Sequence, residues 1–141
     1  MFPWRQREQT ELSPQRRTRP TPENATIYGA VIRATNSGRV ALIQGRRSGK
    51  WSFPKGHANT GESPFDCVVR EVGEEIGFDA LPAPRAAAAL HVGYYYMFDV
   101  AAEFQLAPRD MDEVCAAGWF TVEEIRRLPV NVDVSRWLAG N

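Results

Sequence analysis

Long apolar runs alternate with short polar segments along this chain, and their order predicts the fold. Nearly every position of residues 27–33 is apolar, which predicts a strand buried on both faces. A turn signal, Asn-Ser-Gly, occupies residues 36–38 and separates it from a second apolar run at 39–44. The two runs predict a β-hairpin. Three further strands are predicted over residues 86–91, 94–104 and 116–120.

Between these strands lies one amphipathic helix with clear ends. Ser63 is a candidate N-cap, Pro64 suits the first helical position, and Gly77 stands where a left-handed C-cap glycine belongs. Apolar residues recur at helical spacing and predict the face that packs on the core: Phe65, Val68, Val69, Val72 and Ile76. The acidic side chains of this helix are expected to face away from the core.

Two shorter helices are predicted near the end of the chain. Thr121 would cap the first, with Arg126 and Arg127 in its last turn. The second is expected over residues 132–138. Two strands, a helix, three strands and helical segments in this order predict the α/β fold class, with a mixed β-sheet and helices on both of its faces.

Composition narrows the class of protein without identifying a partner. The 141 residues suit one domain, 43% of them are apolar and 24% charged, and the formal net charge is zero. No run of 18 apolar residues predicts a membrane span, and the first residues lack the apolar core of a signal peptide. Cys67 and Cys115 lack metal-ligand spacing. We therefore expect a cytoplasmic protein.

Residues 1–24 differ in composition from the rest of the chain. They hold prolines and no apolar periodicity, together with the arginines Arg5, Arg7, Arg16, Arg17 and Arg19. This composition predicts a flexible basic arm over 1–24, followed by a folded domain over 25–141. Such an arm binds nucleic acid in some proteins, but glutamates dilute these arginines, which favours a solvated tail.

Three glutamates crowd one edge of the main helix. Glu71 and Glu75 are i,i+4 neighbours, and Glu71 and Glu74 are i,i+3 neighbours. Acidic runs of this kind are common on solvated helix faces, where like charges repel weakly. The alternative is a divalent cation site, because hard cations prefer oxygen ligands.

The residues around this cluster resemble a known family motif. Gly56, five residues, Glu62, seven residues, and then the run Arg70-Glu-Val-Gly-Glu-Glu-Ile-Gly-Phe78 fill every specified position of the Nudix box. The resemblance covers roughly residues 25–139. It implies an α/β/α sandwich and a metal-dependent hydrolase of phosphoanhydride bonds.

The resemblance also implies a metal site with its supporting residues. It gives Glu71, Glu74 and Glu75, with the carbonyl group of Lys55, as ligands of Mg²⁺ or Mn²⁺. Glu62 and Arg70 would pair and orient Glu71, in the way that residues around metal ligands commonly do. Together Glu62, Arg70 and Glu71 are therefore expected to be catalytic residues.

The resemblance leaves the general base open, because the family places it variably. Some members use a glutamate on a loop before the last strand, and Glu113 precedes the predicted strand at 116–120. Glu113 is our candidate for the base, with simple solvent exposure as the alternative. Glu103 is a weaker candidate.

Two stretches could contact the substrate directly. Arg46, Arg47 and Lys50 precede the box, and with Lys55 they are candidates for binding phosphate oxygens, an ordinary solvated turn being the alternative. The tyrosines of residues 94–96 could stack on a base, but their strand pattern favours a place in the core.

The chain is similar to branches of the family that act on dinucleoside polyphosphates or diphosphoinositol phosphates, and to the catalytic domain of mRNA-decapping enzymes, so the substrate stays open in detail. We expect a small nucleotide in which a nucleoside diphosphate is linked to another moiety, most simply a dinucleoside polyphosphate. A capped RNA is the first alternative, and few basic residues follow the box to support it. A non-catalytic nucleotide-sensing module is the second. The chain is expected to be a monomer or a homodimer.

Overall fold

A computed structural model describes residues 19–141, and the strands of this part of the chain form one sheet. In chain order the strands are β1 (Ile27–Ala34), β2 (Val40–Gly45), β3 (Trp51–Ser52), β4 (Lys55–His57), β5 (Ala86–Ala89), β6 (Tyr94–Val100) and β7 (Val114–Phe120). The helices are α1 (Pro64–Ile76), α2 (Val122–Ile125) and α3 (Val132–Ala139).

The sheet is mixed, as the sequence predicts. Its main order is β3-β2-β1-β6-β5, while β4 pairs with β1 and β7 pairs with β2. The β1–β6 pair is parallel and the other pairs are antiparallel. The predicted hairpin of β1 and β2 is present, with Arg33 opposite Val40. Pairing with β4 brings the first residues of the box alongside β1.

Helices cover both faces of the sheet, which confirms the α/β/α sandwich. Along β1 the side chains alternate: Ala30 and Ile32 join the core cluster that contains α1. Val31, between them, joins a second cluster with Ile125 of α2 and Trp137 of α3. Strand β1 is therefore buried on both faces, as its unbroken apolar run predicts.

Helix α1 begins and ends where its capping residues predict. The Ser63 hydroxyl accepts a hydrogen bond from the Asp66 N–H at 3.1 Å. Gly77 has φ of 72° and donates its N–H to the Gly73 carbonyl at 3.1 Å. A Cβ atom at position 77 would overlap the carbonyl of Ala107, so only glycine fits where that later segment crosses the helix end.

Several predicted boundaries were wrong. The prediction extended β6 to residue 104, but the strand ends at Val100, level with the end of its parallel partner β1. Beyond that point the chain loses this partner. Helix α2 ends at Ile125, so Arg126 and Arg127 lie beyond its last turn and not within it. Pro129 follows shortly after and cannot continue a helix. The short strands β3 and β4 were not predicted.

The predicted basic arm lies mostly outside the described residues. Within residues 19–24, Thr21 and Asn24 exchange two hydrogen bonds and form a turn. The Tyr28 hydroxyl donates to the Pro22 carbonyl at 2.6 Å. Within residues 19–141, the helices are all too short or too polar to cross a membrane.

Candidate active site

Arg70 connects the box loop to helix α1. Its Nε and Nη2 atoms donate to the two carboxylate oxygens of Glu62 at 2.8 and 2.9 Å, a bidentate pair. Nη2 also donates to the His57 carbonyl at 2.9 Å, and the Asn59 N–H donates to Glu62 at 2.9 Å. The hydrogen bonds from Arg70 and then Asn59 lower the pKa of Glu62 to about 2. The predicted Glu62–Arg70 pair is thus present and stays ionised.

The same guanidinium contacts two of the helix glutamates. Nη1 of Arg70 donates to Glu71 Oε2 at 3.1 Å and lies 3.3 Å from Glu74 Oε1. The Glu62 hydrogen bond, followed by the nearby negative charges, raises the pKa of Arg70 above its usual range. Arg70 therefore orients Glu71, and it also draws the Glu74 carboxylate toward itself.

Glu71 and Glu75 are buried, contrary to the expectation that the acidic side of α1 faces away from the core. Their residues are 8% and 4% exposed. The cause is strand β4, which packs beside α1. The Lys55 N–H donates to Glu75 Oε1 at 3.0 Å, and a Cβ atom at Gly56 would overlap the Glu71 carboxylate. The box glycine is required because the backbone approaches Glu71 so closely.

Burial disfavours the ionised form of both carboxylates. It raises the pKa of Glu71 to about 7 and that of Glu75 to about 8, although Arg70 acts in the opposite direction on Glu71 and the Lys55 N–H on Glu75. The negative charge of Glu113 contributes to the increase at both residues. The Glu113 side chain therefore lies within electrostatic range of Glu71 and Glu75.

The donor set fits a divalent cation held by two carboxylates. Within residues 19–141, Glu71 Oε1 and Glu75 Oε2 receive no hydrogen bond, and buried polar atoms rarely lack a partner. Among the described residues, no group of three His, Cys, Asp or Glu side chains has an arrangement that would hold a metal ion, so the predicted three-carboxylate set stays a prediction. Glu74 is instead directed at Arg70. Mg²⁺ commonly uses one or two carboxylates and fills its remaining positions with water and phosphate.

The loop that carries Glu113 lies against the basic loop before the box. The Glu113 carbonyl accepts from the Arg46 N–H at 2.8 Å, and Arg46 Nε donates to the Met111 carbonyl at 2.9 Å. A cavity of about 490 Å³ lies between the loops, lined by Gly45, Arg46, Arg47, Ser48, Asp112 and Glu113. Arg46 therefore joins the two loops, and Arg47 lines the cavity. Lys50 belongs to the same basic loop but does not line this cavity.

Two other predictions concerned Glu103 as a weaker candidate for the base and the tyrosines of residues 94–96 as possible contacts of a nucleotide base. Glu103 pairs with Arg39 at 3.8 Å. Tyr95 is fully buried, packs edge-on against Phe53 and donates to Asp133 at 2.7 Å, which favours a place in the core over base stacking.

Sequence reasoning missed two polar groups that the fold assembles. Asp133, on α3, is buried and accepts from three donors in or beside the turn between β5 and β6: Val92 N–H, Gly93 N–H and Tyr95 O–H. Arg109 forms a bidentate pair with Asp79, 30 residues away. Neither group has a spacing signal in the sequence, because each joins distant segments.

Comparison with known proteins gives one family. A model described as NUDIX domain matches residues 24–139. The chain is 29% identical over 122 residues to the m7GpppN-mRNA hydrolase of Saccharomyces cerevisiae, covering 82% of this chain and 13% of that protein. It is also 29% identical over 120 residues to the NAD-capped RNA hydrolase NudC of Pseudomonas syringae, covering 77% of this chain and 41% of that protein. The chain thus spans less than half of either relative.

Solved structures agree on the fold. A Nudix hydrolase from M. smegmatis, RenU, superposes with a TM-score of 0.65 at 19% identity, covering 82% of each chain. At this level of identity the likeness supports the architecture alone.

Proposed function

The chain belongs to the Nudix family, and from this we propose that it is a divalent-metal-dependent pyrophosphohydrolase of nucleotide-linked substrates. One observation carries the proposal. Two buried carboxylates, Glu71 and Glu75, each keep an oxygen without a hydrogen bond among the described residues, beside a bidentate Arg70–Glu62 pair. Burying an ionised carboxylate of this kind is costly unless a cation pairs with it, and without a cation the group tends to take up a proton.

The proposed metal site uses residues of α1 and β4. Glu71 and Glu75 hold Mg²⁺ or Mn²⁺, and the Lys55 carbonyl and Glu74 are further candidate ligands. When bound, such a cation neutralises charge on phosphoryl oxygens and lowers the pKa of coordinated water. Arg70 keeps Glu71 oriented through its contact at 3.1 Å.

Substrate contacts and proton transfer fall to the two adjoining loops. Glu113 accepts the proton of the attacking water, which its exposed position and its charge near Glu71 and Glu75 support. Arg47 and Lys50 bind phosphate oxygens. Within residues 19–141 the Nη atoms of Arg46 donate no hydrogen bond and can bind phosphate, whereas its Nε donates to the Met111 carbonyl.

We propose a dinucleoside polyphosphate or a similar small nucleotide as the substrate. The test is a panel with Mg²⁺ and with Mn²⁺ that contains dinucleoside polyphosphates, nucleoside diphosphate sugars, nucleoside triphosphates and capped RNA. Turnover of the dinucleotides that is lost in Glu75→Gln is the expected result. Tight nucleotide binding with no turnover of any compound would instead support a nucleotide-sensing module.

Capped RNA is the second candidate, and the names of two relatives favour it. Both relatives are named as hydrolases of capped RNA. A cap also contains a polyphosphate between two nucleosides, so the same carboxylates would serve. The discriminating measurement is competition between a capped RNA and the small dinucleotide at several salt concentrations. Strong competition by RNA that weakens steeply with salt would identify RNA as the substrate.

A further inference from the structure

The segment that carries Glu113 is fastened to the end of helix α1 by its backbone. The Ala107 N–H donates to the Ile76 carbonyl at 2.9 Å. The Arg109 and Asp110 N–H groups both donate to the Glu74 carbonyl, at 2.8 and 3.0 Å. Carbonyls in the last turn of a helix have no partner within the helix, so this docking satisfies them. We call residues 105–113 the base loop.

One pair of side chains reinforces this docking. Arg109 Nη2 and Nη1 donate to the two carboxylate oxygens of Asp79 at 2.7 and 3.1 Å, and Nη2 lies 3.4 Å from the Gly77 carbonyl. The pair lies over Gly73 of α1, where a Cβ atom would come within 2.9 Å of Asp79 Oδ1. We call this contact the Asp79–Arg109 latch.

Arg109 of the latch lies next to the turn of the base loop that carries Glu113. Asp110 follows Arg109 directly, and its carboxylate lies 3.3 Å from the Glu113 N–H. The Asp110 carbonyl accepts from the Val114 N–H at 3.1 Å. The turn that begins at the latch therefore sets the backbone of Glu113. Arg46 holds the same turn from its other side through the Met111 and Glu113 carbonyls.

We propose that Asp79 and Arg109 are positioning residues that hold the base loop on α1 and thereby fix the backbone of Glu113. The inference rests on the proposed function, in which Glu113 accepts the proton. Bidentate arginine–carboxylate pairs restrict geometry as well as adding attraction. Exposed ion pairs add little to global stability, so the latch is expected to act on local order. Misplacing a reacting group by about 1 Å can cost roughly 100-fold in rate.

Hydrogen exchange tests the latch without a substrate. Arg109→Ala and Asp79→Ala should each speed exchange at the amides of Ala107, Arg109 and Asp110 and leave the core strands protected. Arg85→Ala is the matched control, because it breaks an exposed pair with Asp99 at 3.1 Å and should leave the base loop unchanged. Equal exchange in the base loop of Arg109→Ala and wild type would refute the latch.

Kinetics test its consequence for Glu113. Arg109→Ala should lower kcat by roughly 10- to 100-fold with little change in KM. Glu113→Gln should add little in that background, because Glu113 is already displaced. The reversed pair, Asp79→Arg with Arg109→Asp, should recover part of the lost activity. If the fold-loss of kcat in the double variant equals the product of the losses in Arg109→Ala and Glu113→Gln, the latch does not act through Glu113.

The outcomes separate this inference from the proposed function. An inactive Glu113→Gln beside a fully active Arg109→Ala refutes the positioning role and leaves the proposed function intact. Unchanged turnover in Glu113→Gln shows that Glu113 is not the base, and the positioning role then fails with it. No turnover of any compound by the wild type refutes the proposed function, and hydrogen exchange still decides whether the latch orders the base loop.

Discussion

Two carboxylates are buried on opposite faces of the sheet, and their surroundings differ in one respect. Asp133 on α3 is 2% exposed and accepts hydrogen bonds from Val92, Gly93 and Tyr95 at 2.7 to 3.0 Å. Glu75 on α1 is 4% exposed and accepts one, from the Lys55 N–H. The two carboxylates are therefore buried to a similar degree, but Asp133 accepts three hydrogen bonds and Glu75 accepts one.

The difference indicates what each carboxylate is for. Three donors compensate the desolvation of Asp133 and join α3 to the turn before β6, which is a structural role. Glu75 keeps one oxygen without a hydrogen-bond partner in residues 19–141, and its pKa is raised to about 8 by burial. A buried carboxyl group with an unsatisfied oxygen is costly, and this indicates a functional role for Glu75. The two sites therefore allow matched tests, in which each carboxylate is changed to its amide.

Glu75→Gln is expected to have the largest effect, a loss of hydrolysis on the order of 10³-fold, or about 4 kcal/mol in the barrier. The amide removes a proposed metal ligand and keeps the acceptor for the Lys55 N–H. Without metal, the variant should resist urea at pH 8 at least as well as wild type, because it buries no charge there. Turnover at saturating Mg²⁺ measures the loss of hydrolysis, and urea unfolding measures the stability. A variant that is less stable but fully active would show that Glu75 has a structural role and not a functional one.

Asp133→Asn should show the opposite pattern. The amide replaces one accepting oxygen by a donor that faces N–H groups, which should cost about 2 kcal/mol of unfolding free energy. Turnover per folded molecule should stay at the wild-type value, because Asp133 does not contact the proposed site. Urea unfolding combined with kcat at low temperature measures the two effects. A loss of kcat without a loss of stability would contradict the structural role.

The last prediction concerns the pH dependence of metal-free stability. Burial raises the pKa of Glu71 to about 7 and of Glu75 to about 8, against 4.5 for an unperturbed glutamate. Between about pH 4.5 and pH 8 the folded protein holds more protons than the unfolded chain. The stability that these groups contribute is complete below pH 4.5 and falls as the pH rises through this window.

Melting in EDTA should therefore drop by several degrees from pH 5 to pH 9, and Mg²⁺ should recover most at the high end of this range. The Glu71→Gln Glu75→Gln double variant is the control, and its metal-free melting should depend less on pH. Identical pH profiles for the double variant and wild type would argue against buried, unsatisfied carboxylates.

Local signals in the sequence were sufficient for the main helix and for the family. Ser63, Pro64 and Gly77 act within one turn of α1, so their effect does not depend on distant residues. The apolar run of β1 correctly predicted burial on both faces. The strand is buried because it pairs in parallel with β6 and because helices cover both sides of the sheet. Short strands escaped prediction, since two or three residues carry too little pattern.

The same sequence reasoning placed the acidic residues on one helix but misjudged their exposure. Helical spacing shows which side chains share a side of α1, and it does not show what packs there. Strand β4 reaches Glu71 and Glu75 only because Gly56 pairs with Tyr28. This contact depends on the sheet, and it turned an expected solvated side into a buried one.

By itself, the sequence determined the family, the helix that carries the site and the Glu62–Arg70 pair, because a motif of fixed spacing acts through neighbouring turns. Only the tertiary structure decided that Glu71 and Glu75 are desolvated, that Arg70 draws Glu74 aside and that the Asp79–Arg109 latch fastens the base loop. Burial and long-range ion pairs join segments that are distant in the chain. Their energies depend on which surfaces meet, and no local pattern records that.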